Sequence, residues 1–478
     1  MGRKATNLFL KSIAAAVCWS AAVYAAGSGE NWTSYRGPTD QGYCGSADLP
    51  VRWSEKENVV WKTPLPGKAW SSPVIWDDRI WLTTAPEDGT QLSAICVAKS
   101  SGKILHNKFL RAVVAPQYCH PFNSYASPSP VIEEGRVYVS FGAPYTACLD
   151  SSTGAVIWQR TDFVCNHFRG AGSSPLIYKN LLILHFDGSD HQYVVAMDKQ
   201  TGKTVWKTNR SVNFHDLEAG TGQPNREGDL RKAFSTPVIA DVHGKPLLVS
   251  LGSMALYGYD PLTGQERWRV EAIGSHSGAC RPVLGHGLVF SPMGSGLELW
   301  AVRPDGQGLV PDTHVVWKQK RGVPRRPSVL LVDDLLFMVD DGGIATCVEA
   351  KTGKAVWKER LGGNYSASPI YCGGRVYFFD QDGKATIIKA SREYQVIAVN
   401  RLEDGFMASP AVSGGALFLR TKSALYRIED RSRQSLGAPS APAPARLRPS
   451  AAGATPQLAA HVAMDGPRNP DRFQAHCK

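Results

Sequence analysis

Nowhere in the 478 residues is there a stretch of about 20 apolar residues, the length a membrane-crossing helix needs; the nearest approach, "IAAAVCWSAAV" at residues 13–23, stops short. Cysteines never stand adjacent or in a C-x-x-C pair, so no compact spacing enforces a metal site. No phosphate loop, Ser/His/Asp set or amphipathic membrane helix stands out, which removes the usual signatures of nucleotide binding, triad hydrolysis and membrane-surface attachment. Charge gives little support for a polyanion partner, although "KQKRGVPRR" at 318–326 packs five basic residues into nine and is an anion-binding or a solvated loop. The formal net charge is +11, but Arg3, Lys4 and Lys11 precede any acid, and residues 431–478 hold seven basic and two acidic residues. The body between is only weakly basic, so no nucleic-acid partner is expected.

What is present begins with the ends. The basic start, the apolar run and the small residues of "VYAAG" predict a signal peptide over residues 1–25, cleaved after Ala25. The product is then an exported protein, periplasmic or extracellular and associated with the cell envelope, with no transmembrane segment after cleavage. Val17 before Cys18 is not the small residue that a lipidation site requires. Residues 26–50 read as an irregular, Gly-rich segment draped over the domain, and residues 431–478 as a disordered Ala/Pro-rich tail without enough apolar content for a core. Ten cysteines leave nine after cleavage, an odd number whose pairing the sequence does not settle. Cys96, Cys148 and Cys347 sit inside strand patterns and read as small core residues.

The dominant pattern is T-G-x-x-x-W, at Thr153–Trp158, Thr201–Trp206, Thr263–Trp268 and Thr352–Trp357, each after a strand-like run ending in an acid. Ahead of each lies a proline, an apolar run, a polar turn and a second β-rich run. Four short antiparallel strands per period of roughly 40–60 residues describe a propeller blade. The leading prolines, Pro73, Pro130, Pro175, Pro237, Pro282, Pro327, Pro369 and Pro410, predict eight blades over residues 51–430. The last has three strands, and "VVWKT" at 59–63 supplies the fourth, closing the ring and removing exposed edges. Glycine gives the turn its positive-φ position, and the acid and Thr satisfy turn amides. Trp61, Trp158, Trp206, Trp268, Trp317 and Trp357 are then docking residues between blades, not ligand platforms.

The A-x-D-x-x-T-G-x-x-x-W repeat resembles the docking motif of the PQQ-repeat, quinoprotein-like eight-bladed propellers. Stretches such as "YRGPTDQG", "NSYASPSPV" and "RLGGNYSASPIY" look like secreted relatives of the outer-membrane β-barrel assembly factor BamB. The resemblance implies an all-β propeller of four-stranded blades and a non-catalytic binding or scaffold role. The quinoprotein dehydrogenases of the superfamily carry an adjacent Cys-Cys disulfide over the cofactor and acidic and Asn ligands for Ca²⁺. Neither is matched here, so no cofactor is expected; a PQQ- or metal-dependent oxidoreductase using the axial face is the alternative. A protein, peptide or glycan partner and a monomeric state are expected.

The loops joining each outer strand to the next inner strand gather on one face in a propeller, and here they carry the unusual chemistry. His120, Asn123, His167, Arg169, His215, His276, Arg281, Arg325 and Arg326 are the candidate ligand-binding residues. Cys119 and Cys165 either join adjacent loops as a disulfide or, with His120 and His167, hold a soft metal; the histidines otherwise are ordinary loop residues. The long loop between Trp206 and Pro237, with Asn213, His215, Asp216, Arg226 and Arg231, is expected to project over the channel. "DQDGK" at 380–384 superficially suggests a calcium loop but sits where a hairpin turn is needed.

Overall fold

The computed structural model describes residues 31–45, 48–296 and 298–430. The expected signal peptide and the Ala/Pro-rich tail, with Cys18 and Cys477, lie outside the described residues.

The repeat folds as eight antiparallel sheets of four strands, the blades of one propeller. In blade 3 a short inner strand, Leu176–Tyr178, pairs with Leu181–Asp187, which pairs with Gln192–Asp198 and then the outer strand Thr204–Asn209. The middle strands are largely apolar and buried, whereas the outer one is exposed apart from the buried Trp206 and the partly buried Thr208, which face the neighbouring blade. Asp198 makes the turn by accepting the N–H groups of Gln200 and Thr201 and the Thr201 hydroxyl. Gly202 takes φ of 71° there, and its missing Cβ leaves room for Trp158 of the preceding blade, which a methyl group would meet at 2.7 Å.

That contact recurs around the ring. The indole N–H of Trp158 donates to Lys199 O, of Trp206 to Pro261 O, of Trp317 to Ala350 O and of Trp357 to Ser391 O, each in the turn of the next blade. Cys148, Ala196 and Cys347 lie directly opposite Trp158, Trp206 and Trp357 on the adjoining strand. Only a small side chain fits beside the indole, which explains why cysteines occupy these slots. Three blades depart from the rule; in blade 7 Ala398 stands opposite Ile387 where the tryptophan would be. Blade 1 places His106 opposite Cys96; the imidazole stacks on Trp81, and His106 and Trp81 bond to Ser152 O and Ser151 O of blade 2. Trp268 is buried, but blade 5 has an insertion where its Thr-Gly turn would be, the indole N–H finds no acceptor, and Gly308–Leu309 of that insertion add a fifth, parallel strand to blade 4.

Val59–Pro64 pairs antiparallel with Ala424–Ile428, completing blade 8, and Trp61 donates to Lys99 O in blade 1. The ring therefore closes through the N-terminal strand. "DQDGK" is a hairpin turn: Asp380 accepts the amides of Asp382 and Lys384.

A second ring runs around the axis. The amide of Ser72 donates to the Ser129 hydroxyl, Ser129 to Ser174, and Ser174 to Thr236. Past blade 5, Arg281 donates to Ser328, Ser328 to Ser368, Ser368 to Ser409, and Ser409 back to Ser72. Each hydroxyl begins an inner strand and ties it to the previous blade. In blade 6 Ser328 takes the place, so Pro327 precedes the ring residue and stands two residues out of step with the other leading prolines. In blade 5 the position is Arg281, whose side chain interrupts the hydroxyl ring.

Residues 31–45 do not drape over the ring; they cross its axis below the hydroxyls. Trp32 pairs with Ile75 in blade 1, and the amide of Ile132 in blade 2 donates to Thr33 O. The Tyr35 hydroxyl meets Ser328 and Ser368, the Arg36 guanidinium donates to Val329 O and Pro369 O, and Tyr43 bridges Tyr371. A disulfide, Cys44–Cys372, fastens the segment to blade 7 across 328 residues of sequence.

Candidate functional site

On the other side of the hydroxyl ring, the loops of all eight blades enclose a cavity of about 550 Å³. Tyr35 and the hydroxyls of Ser72, Ser129, Ser174 and Ser409 line its inner end. Trp70, Phe122 and Phe234 give it apolar walls, and Trp70 is held by its indole N–H on Phe122 O. His120, Asn123, Arg169, Arg325 and Arg326 also line it, so five of the nine expected residues converge.

Their roles differ. His120 accepts the Phe122 amide at Nδ1, which fixes the proton on Nε2 when the ring is neutral. Asn123 is a brace: its amide donates to Arg169 O and Ala171 O while its oxygen accepts Ser127, tying two loops together. Arg326 pairs with Asp341 at 2.8 Å and lies over the Phe122 ring at 4.2 Å. Arg169 reaches Asp229 at 3.5 Å, yet its buried Nε–H has no acceptor. The Arg325 backbone amide donates to Asp341, and its side chain is exposed.

Four expected residues stand elsewhere. His276 is adjacent to the cavity-lining Ser277, with Nδ1 2.8 Å from the Ser277 hydroxyl. Burial, then Lys232, Arg169, Arg226 and Arg325, push it down to about 4, so it is neutral at pH 7 and senses a positive field. His167 is a correction. It is buried away from this cavity, accepts the Ala143 amide at Nε2, and burial pulls it down to about 4. Arg281 is a second correction: it is 1% exposed and points to residues 31–45, the segment that plugs the axis, donating to Pro237 O, Tyr35 O and Asp40. His215 is a third. It is exposed on the long loop and does not line the cavity, because that loop folds on itself, with Asp216 buried against Arg231 and a bridge between Leu217 and Pro224.

Of the alternatives for Cys119 and Cys165, the disulfide is not formed; both are free thiols, and Cys280 is free and buried. Burial lifts Cys119 to about 11 and Cys165 well above the usual thiol range. The Cys165 sulfur lies 3.8 Å from His167 Nδ1, but among the described residues no three His, Cys, Asp or Glu side chains converge as a metal site. The residues missed by sequence reasoning are the four serines, Tyr35, Phe122 and Asp341. The serines carried a signal: each stands immediately before a leading proline.

Eight four-stranded blades, tryptophans docked on Thr-Gly turns and a loop-lined axial cavity define a quinoprotein-like, PQQ-repeat propeller. The chain belongs to the family described as outer membrane protein assembly factor BamB, whose model matches residues 18–162, 111–290 and 293–394. BamB from Moraxella catarrhalis has a similar structure, with a TM-score of 0.53 at 13% identity over 77% of this chain and 99% of that one. Quinohemoprotein alcohol dehydrogenase from Comamonas testosteroni is similar at a TM-score of 0.58 and 12% identity, over 84% of this chain and 81% of that one. ADHIIG, a quinohemoprotein alcohol dehydrogenase from Pseudomonas putida HK5, gives 0.59 and 12%, over 84% and 80%. At such identities the likeness establishes the fold. No curated protein sequence matches the chain.

The lining of this cavity does not fit a hard cation of the kind that accompanies the quinone in the dehydrogenases. Its single lining carboxylate, Asp341, is spent on Arg326 and two backbone amides, and the Asn123 oxygen is spent on Ser127. A hard cation needs several free oxygen ligands, which the wall does not offer.

Proposed function

We propose that the protein is an exported, non-catalytic binding module of the cell envelope, and that the axial cavity is where it engages a protein, peptide or glycan partner. The observation that carries this reading is the donor set of the cavity: arginines, serine hydroxyls and a histidine N–H above a floor filled by Tyr35, with no free carboxylate to act as a base. Such a wall recognises and does not transform. Family membership supports an envelope role, since the family's description names an outer-membrane assembly factor. Export is supported by the basic and apolar start and by the Cys44–Cys372 disulfide, which suits an oxidising compartment.

The test is a dye-linked oxidation assay on exported protein with added PQQ, Ca²⁺ and a panel of primary alcohols, together with its absorbance and metal content. The expected result is no turnover above buffer and no stoichiometric quinone or metal. Turnover, or a quinone retained in equimolar amount, would replace this reading with the oxidoreductase.

A further inference from the structure

The inner end of the cavity has an unusual hydrogen-bonding state. Ser129, Ser174, Ser409 and Ser72 each use a lone pair to accept a backbone amide of the preceding blade, at 2.8–3.0 Å. All four side chains belong to residues no more than 5% exposed, and none has an acceptor for its own O–H among the described residues. Four hydroxyl donors from consecutive blades 8, 1, 2 and 3 therefore face the same space. On the opposite arc Ser328 and Ser368 are already taken by the Tyr35 hydroxyl, so the open donors form a crescent. A hydroxyl buried with an unused donor is costly unless something accepts from it.

Above the crescent stand charged donors. The Arg169 Nε–H is buried without an acceptor, Arg325 carries an exposed guanidinium, and His120 presents Nε2–H. Asp229 is shared between Arg169 and the buried Lys232, and Asp341 is matched by Arg326. Arg226 and Arg325 add further positive charge near His276. The excess of cations over carboxylates, in a concave site, favours an anion.

Building on the reading of this cavity as a recognition site, we propose that it receives the carboxylate of an acidic sugar residue, a hexuronic acid within a glycan. The carboxylate sits on the serine crescent and Arg169, where every neighbour is a donor. The ring's apolar face lies against Trp70 and Phe122, and the remaining sugar oxygens accept from Arg325 and His120. A volume of about 550 Å³ holds such a residue with part of its neighbour. A peptide is the poorer occupant: each of its backbone N–H groups is an obligate donor, and this wall offers almost no free acceptor. Anionic glycans are surface polymers, the class of partner an envelope protein meets.

Calorimetric titration of the full exported protein with an oligomer of galacturonic acid, its methyl ester, and a short peptide with a free terminal carboxylate separates these cases. The acidic oligomer is expected to bind, and the ester at least tenfold more weakly. Arg325→Gln and Arg169→Gln should each weaken the acid about ten- to hundredfold, the scale of one charge-assisted hydrogen bond. Ser129→Ala should weaken it as well, and since that variant disturbs the blade contact, the exposed Arg325→Gln keeps the test independent of folding. Lys207→Gln, on an outer strand over Tyr193, should leave binding unchanged. On saturation the His276 imidazole signal should titrate at higher pH than in the free protein, because a bound anion offsets its cationic neighbours. No binding of the acid, equal binding of the ester, or tighter binding of the peptide overturns the proposal. If the sugars fail but an envelope partner still contacts the cavity rim, the assigned chemistry falls and the recognition site stands.

Discussion

Arg281→Ala should be among the most destabilising single changes in the protein, although the residue touches no ligand. Its guanidinium makes two bonds to Pro237 O, at 2.9 and 2.7 Å, one to Tyr35 O at 2.8 Å and one to Asp40 at 2.8 Å. Truncation leaves the two carbonyls and a carboxylate without their donor. Removing one partner of a buried pair costs about 3–5 kcal/mol; Asp40 retains the Ser34 hydroxyl and its side chain is 20% exposed, which places the cost near the lower end, about 3 kcal/mol. Arg281→Ser puts a hydroxyl where the ring of amide-to-hydroxyl bonds is interrupted, facing the buried Thr236, and should return about 1 kcal/mol. Urea unfolding with linear extrapolation measures both. The Asp40→Ala, Arg281→Ala double mutant should show a coupling of about 1–3 kcal/mol. An Arg281→Ala protein within about 0.5 kcal/mol of wild type, or a serine variant no better than alanine, would refute the account of the plug and the ring.

Deleting residues 51–65 removes the fourth strand of blade 8 and Trp61, so the product should be insoluble or unfold without a cooperative transition. A soluble, cooperatively melting deletion would show that closure lies elsewhere. Reducing Cys44–Cys372 should lower stability by about 2–4 kcal/mol in urea unfolding, the usual scale for a disulfide; Cys372 is as buried as Cys96, Cys148 and Cys347, so these four thiols should be alkylated only on unfolding. Burial holds His167 down to about 4 and His185 well below its ordinary value. Between about pH 6.5 and 4 the unfolded chain therefore binds more protons, and stability falls as pH drops through that window, by up to about 3 kcal/mol for His167. Thermal midpoints at pH 7 and 4.5 check this, and a His167→Gln protein should show a shallower fall; an unchanged slope would contradict it.

The fold was legible because its signal is local and repeated. An acid, a Thr-Gly turn and a tryptophan four residues past the glycine serve the contact between blades, and the likeness of "VVWKT" at 59–63 to "TVWKT" at 204–208 betrayed the closing strand. Blade 1 was legible in principle: Ser101, Gly102 and His106 keep the spacing with histidine in place of tryptophan. The site was harder to read, since loop membership tells which end of the propeller a residue occupies and not which way its side chain turns. His167 and Arg281 sit in the right loops but turn into the protein, where the Ala143 amide holds the one and two carbonyls with Asp40 hold the other. The Cys44–Cys372 link joins positions with no local relation, so no spacing could reveal it. The serines were visible as "SSP", "PSP" and "ASP" and read only as strand starts, because the amide each receives belongs to another blade.

The central claim is that the axial end of the propeller is the surface that meets a partner. Photocrosslinking tests it directly, with a light-activated phenylalanine analogue placed at Phe122, 37% exposed on the cavity rim, or at Val205, 52% exposed on an outer strand. In envelope preparations, crosslinks from position 122 that disappear when Arg325→Glu is added, with none from position 205, are the predicted result. Crosslinks from position 205 alone, or crosslinks from 122 that are indifferent to Arg325→Glu, would contradict it.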